Sequence, residues 1–207
     1  MNRRQALLSL GSGALTLSAG CLGVLTGTEP LTFEAGRATV SPATLGETGY
    51  EEDDVTSETV TRSFSAAGQS REVEVTNRIA TYDRSIDFGP LGTQEIAVFA
   101  VLSTPQVRVL DRTFNPVGEM SNRELLQELQ ARYDGLTIGA SVGTSSASVL
   151  GEAVEIEQFQ ATATYQGQEI DLFVHITTVA HEGDYVVPVA VYPRQLPDEE
   201  QRVLQLY

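Results

Sequence analysis

The chain has 207 residues and carries 28 Asp and Glu against 13 Arg with no Lys, a formal charge of −15 and an isoelectric point near 4.4. That length supports one or two small domains with a real core, and the charge excludes the basic face that nucleic-acid binding needs to release counterions. A single cysteine excludes any intrachain disulfide, and no Asn-x-Ser/Thr acceptor is present.

In chain order, Met1 to Cys21 comes first. Arg3 and Arg4 precede an uncharged, mostly small and apolar run from Gln5 to Gly20, ending in Ser18-Ala19-Gly20-Cys21. A basic start, a short apolar stretch and small residues before a cut site form a secretory signal. The paired arginines add a receptor-read export address. Sixteen residues diluted with Gly, Ser and Thr fall short of the roughly 20 needed to span a bilayer. Residues 1–20 therefore read as a cleaved twin-arginine signal ending in a lipobox. Cys21 then becomes the first residue and the lipid attachment point, since acyl chains partition by about 0.8 kcal/mol per CH2. Ser18 stands where such sites usually have a large aliphatic. Loss of Arg3 and Arg4 takes the formal charge from −15 to −17.

Residues 21–30 read as the lipidated cysteine and a tether. Leu31 to Val40 is strand-like. Ser41-Pro42 is an N-cap with proline at the first helical position, opening a short helix to Glu47. Glu51-Glu52-Asp53-Asp54 lacks the glycine and spacing of a calcium loop and reads as a solvated acidic loop. Val55–Ser65 and Glu72–Tyr82 alternate and predict a hairpin, followed by a loop over Asp83 to Thr93. Strands are expected at Glu95–Thr104 and Val107–Phe114, the second ended by Asn115-Pro116. Ser121-Asn122-Arg123-Glu124 is a capping box opening a helix whose apolar face is Leu125, Leu126, Leu129 and Tyr133. Asp134-Gly135 stops it.

The second half predicts a three-stranded meander: Glu152–Tyr165, Gln168–Ala180 and Tyr185–Tyr192. A two-residue turn at Gln166-Gly167 pairs Ala163 with Ile170, Ala161 with Leu172 and Phe159 with Val174. A second turn at His181–Asp184 sets Ile176 opposite Val189 and Val174 opposite Val191. Pro188 cannot donate to a ladder, which makes its strand an edge or turns its imide toward a gap. Pro197 to Leu206 reads as a terminal helix.

The halves also match each other. Leu31 to Glu47 and Leu136 to Glu152 share eight identities in seventeen at an offset of 105. The same order of later segments suggests duplication. The expected fold class is α+β: an antiparallel sheet packed with a few helices, as two degenerate β-α-β-β-β-α repeats at 31–135 and 136–207 in one compact unit.

Gly139-Ala140-Ser141-Val142-Gly143 fits the G-x-S-x-G nucleophile elbow, with Asp171 and His175 or His181 following in order. An elbow needs a strand, a sharp turn and a solid helix, and Thr144 to Ser148 is a poor helix start. A serine hydrolase using Ser141 is therefore the alternative reading. His175 reads as a half-buried packing residue and His181 as a turn histidine; six residues apart on one strand, they are too distant to share a metal. No metal or cofactor is expected. The meander's second face is apolar too, through Phe173, Val179, Val186, Pro188, Ala190 and Tyr192. Its cover is either the chain's own helices or a protein partner.

Through Arg3, Arg4, Ala19-Gly20-Cys21 and the acidic, β-rich body, the chain resembles uncharacterised lipoproteins of haloarchaea. That resemblance implies a halophilic protein on the extracellular face of the cell membrane, held by its lipid. The expected role is a non-catalytic binding or accessory domain whose partners are the membrane and a protein, not nucleic acid.

Overall fold

A computed structural model describes residues 30–66, 69–87, 93–109, 112–113, 115–133, 135–165, 167–196 and 198–207. Arg3, Arg4 and Cys21, and with them the signal and tether, lie outside the described residues. Eleven strands and three α-helices are described: β1 (Leu31–Glu34), α1 (Pro42–Thr48), β2 (Glu51–Ala66), β3 (Gln69–Asp87), β4 (Thr93–Pro105), β5 (Arg108–Val109), β6 (Arg112–Thr113), α2 (Asn122–Gln130), β7 (Leu136–Val149), β8 (Glu152–Tyr165), β9 (Gln168–Ile176), β10 (Val179–His181), β11 (Asp184–Pro193) and α3 (Glu199–Leu206). This is an α+β fold dominated by antiparallel sheet.

Nine strands share one sheet in the order β1-β3-β4-β11-β9-β8-β7, with β2 also on β3 and β10 also on β11. Every pairing but β1 with β3 is antiparallel. Both halves of the chain thus build one sheet. The last strand, β11, lies between β4 of the first half and β9 of the second.

Local signals set several elements as expected. Ser41 accepts from the Thr44 backbone N–H with Pro42 at the first turn of α1. Both reciprocal bonds of the capping box are made at Ser121 and Glu124. The meander registers hold: Phe159 opposes Val174, Ile176 opposes Val189 and Val174 opposes Val191. At the β10–β11 turn Glu182 and Gly183 both take positive φ, 47° and 91°, matching the strand twist of a two-residue hairpin.

Other expectations are corrected. The strand from Leu31 stops at Glu34. The acidic run is not a loop; Glu51 to Asp54 opens β2, with a bulge between Glu52 and Asp54. The loop expected at Asp83 is strand to Asp87. Val107–Phe114 is not one strand, because β5 and β6 pair with each other as a separate two-stranded ribbon. Tyr133 falls outside the apolar face of α2 and is 60 % exposed, the helix having ended at Gln130. The repeat fails at its best-matching stretch: α1 corresponds to the β7–β8 hairpin, so the second half has no helix after its first strand. Ala, Ser, Thr and Gly together commit this stretch strongly to neither structure, so tertiary context decides.

Pro188 is not on an edge strand. The Thr177 N–H donates to the Pro188 carbonyl at 3.4 Å. A hydrogen-bonded antiparallel pair would return a second bond, and proline has no N–H to give. The ladder therefore lapses between β9 and β10, and the imide faces that gap.

Helices cover both faces of the sheet. On one, Val203 and Leu206 of α3 and Leu45 of α1 pack with Tyr50, Tyr82, Phe99, Val186 and Tyr192. On the other, Leu126 of α2 is fully buried among Phe159, Leu172, Val174, Ile176 and Val187. Burying such a leucine contributes about 1.5–3 kcal/mol. A helix of nine residues does not hold in isolation, so this packing sustains it. No helix among the described residues is long and apolar enough to cross a membrane.

Candidate functional site

Residues expected to form a partner-binding face lie inside the protein. Val179, Val186, Pro188 and Tyr192 are buried and Phe173 half-buried. Phe173, Val186 and Tyr192 pack in the core that α3 closes. Alternation made this face apolar because the protein's own helix covers it. A partner cannot dock there while α3 is in place.

The polar groups under α3 form two clusters. Glu199, at the start of α3, is 1 % exposed and receives the Arg84 guanidinium of β3 through both Nε, at 3.0 Å, and Nη2. The Tyr50 hydroxyl donates to the same carboxylate at 2.8 Å. Burial first, then the hydrogen bond to Glu199, pushes the Tyr50 phenol far above its ordinary range. The same carboxylate raises the Arg84 guanidinium. Such a pair offsets its own desolvation only with good geometry and further hydrogen bonds, and this one has both.

The second cluster centres on His175 of β9, which is completely buried rather than half-buried. Its Nε2 lies 3.0 Å from both the Gln158 amide nitrogen and the Tyr192 hydroxyl. The Tyr192 ring stacks on it at 5.5 Å, and the Tyr207 hydroxyl donates to its backbone carbonyl at 2.9 Å. Burial lowers the imidazole to about 4, so it is neutral at neutral pH. With Nε2 accepting from Gln158, the ring proton sits on Nδ1, which has no partner.

Both clusters are enclosed, with Glu199 and His175 almost without exposed surface. A polar cleft of about 400 Å³ opens at Glu47, Asp198, Gln201, Arg202 and Gln205 on the outer side of α3, and a smaller cavity of about 60 Å³ is lined mostly by apolar groups, among them Val40, Phe99, Pro188 and Leu206. The smaller one has room for a few waters.

Ser141 is not a nucleophile elbow. Gly139 to Gly143 lies within β7, an edge strand that continues to Val149, with register irregularities on both sides of Ser141. Ser141 opposes Phe159, on the α2 face, whereas Gln158 opposes His175 on the α3 face. Residues directly opposed in a sheet point the same way and neighbours the other, so the sheet separates the serine from that histidine. Asp171 instead lies 4.0 Å from Arg194 in an exposed ion pair, and His181 closes β10 at the turn. No group of three or more metal-binding side chains occurs among the described residues.

The model of one family, described as a domain of unknown function, matches residues 37–207. The chain belongs to the DUF6517 family. No curated protein matches it. The DUF6517 match begins after β1 and runs through α3, so it covers both halves of the sheet and the buried Glu199 cluster alike.

Sequence reasoning missed Tyr50, Arg84, Glu199 and the Gln158–His175–Tyr192 contacts. Glu199 lies 115 and 149 positions from its two partners, and in sequence it is one of two adjacent glutamates at a helix start. Only Gln158 carried a signal. The Phe159–Val174 register places it opposite His175.

Proposed function

We propose that this chain is an exported lipoprotein of a halophilic cell, held by Cys21 on the outer face of the cell membrane, where its sheet domain serves as a non-catalytic binding or accessory module. The observation that carries this reading is the segment from Met1 to Cys21: paired arginines, a short uncharged run, and the chain's one thiol directly after Ala19-Gly20. An excess of 15 negative charges without a single lysine fits a high-salt exterior, where a Debye length of about 3 Å at 1 M screens self-repulsion. The non-catalytic reading is supported by the use of the buried polar groups, since Glu199 and the Tyr207 hydroxyl are engaged in tying α3 and the residue after it to Tyr50, Arg84 and the His175 carbonyl.

Mass spectrometry of the protein from native membranes tests this reading. The expected amino terminus is Cys21 bearing a lipid on sulfur, and Cys21→Ser is expected to move the protein out of the membrane fraction. An uncut terminus, or an unmodified sulfur at position 21, overturns it.

A further inference from the structure

We propose that β2 pairs, antiparallel and edge to edge, with β2 of a second copy about a twofold axis at Val60. Among the described residues β2 is hydrogen-bonded to β3 alone. From Asp54 to Ala66 that pairing runs without a register shift, leaving on its other side a straight edge of about 44 Å. Proteins blunt such edges with bulges, proline or charge. The opposite edge of this sheet is treated that way, since β7 carries two register irregularities around Ser141. On β2 the bulge and the four adjacent acids are confined to Glu51–Asp54. From Val55 to Ala66 there is no proline, and the only charges are Glu58 and Arg62.

Those two charges select the occupant and the register. With Val60 on the axis, Glu58 stands opposite Arg62 of the second copy and Arg62 opposite Glu58 of the second copy. Thr59 then faces Thr61, and Ser57 faces Ser63. Opposed residues share a sheet face, so the opposite charges meet. Centring on Glu58 or on Arg62 sets like charges against each other, and centring on Thr59 or Thr61 separates the pairs. The acids at 51–54 then lie at or beyond Ala66 of the second copy, away from its own acids. A twofold contact of this kind closes on itself as a dimer. Glu58 already has Arg132 at 3.7 Å, but both side chains are at least half exposed and hold each other weakly.

Two consequences follow from the registers. Repulsion between chains of charge −15 falls as salt screens it, so pairing tightens with ionic strength. Leu31 pairs with Val73, which pairs with Arg62, so β1 begins level with the axis. The two β1 strands then flank the axis about 24 Å apart, five strand spacings. Both chains can enter from one side, as two lipid anchors in one membrane require. The pairing itself does not depend on that anchoring.

Sedimentation of the full chain in detergent at about 0.15 M salt, where a Debye length of about 8 Å damps repulsion between the chains but leaves contact pairs felt, tests the proposal with exposed residues that leave the core intact. Wild type is expected as a dimer. Glu58→Arg or Arg62→Glu alone converts two attractive pairs to repulsive ones and is expected to weaken dimerisation roughly tenfold or more. The double reversal is expected to restore it, and an equimolar mixture of the two single variants to form a heterodimer. A monomeric wild type overturns the proposal, as does a dimer indifferent to the reversals. So does weakening that neither the double variant nor the mixture repairs.

Discussion

Helices α2 and α3 are nearly equal in length, nine and eight residues, and close opposite faces of one sheet, yet they are fastened by different means. α2 is capped by its own sequence: Ser121 and Glu124 exchange hydrogen bonds at its first turn, and Leu126 anchors it in an apolar core. The Glu124 carboxyl is held below its ordinary range by those bonds to Ser121. α3 has no side-chain cap at Asp198. It is latched by Glu199 to Arg84 of β3 and to Tyr50 between α1 and β2, and by Arg202 to the Thr48 carbonyl at 3.2 Å. A cap works within one turn of chain and belongs to the helix. A latch works between distant segments and exists only once the sheet has formed.

The latch is most vulnerable at Glu199. Glu199→Ala leaves the Arg84 charge and the Tyr50 hydroxyl buried without their acceptor, and a loss of about 3–5 kcal/mol is expected in denaturant unfolding. Replacing both charges together, Glu199→Leu with Arg84→Met, is expected to recover much of that loss, because no buried charge is then left unpaired. If the single and double variants prove equally unstable, the latch is not electrostatic.

The α3 face also carries a pH dependence, at His175. Its folded value of about 4 lies below the ordinary 6.5, so the unfolded chain binds the proton more readily. The contribution of the neutral ring is complete above about pH 6.5 and is lost as pH falls toward 4, by about 3 kcal/mol. Unfolding measured across that window should show the slope in wild type. His175→Gln should flatten it, and an unchanged slope would assign the acid sensitivity to other groups.

The smallest effect belongs to the cap. Ser121→Ala removes one side of the box and is expected to destabilise by about 1 kcal/mol, with no dependence on Arg84 or Tyr50. A double-mutant cycle with Glu199→Ala should give additive losses. Coupling between them would mean that the two helices close the sheet as one unit.

Local sequence sets the caps at Ser41 and Ser121, the turns at Gly167 and Gly183, and through those turns the hairpin registers. These follow from neighbouring backbone groups and from the two-residue period, which no distant contact needs to supply. The same period marked Phe173, Val186 and Tyr192 as a second apolar face but was silent on what covers it. Tertiary structure decided that β11 enters between β4 and β9, that the break between β9 and β10 accommodates Pro188, and that α3 is pinned over the sheet by Arg84 and Tyr50. The physical reason is range. Hydrogen bonds and ion pairs between residues more than a hundred positions apart depend on where the sheet brings the chain back, and local patterning carries no record of that return.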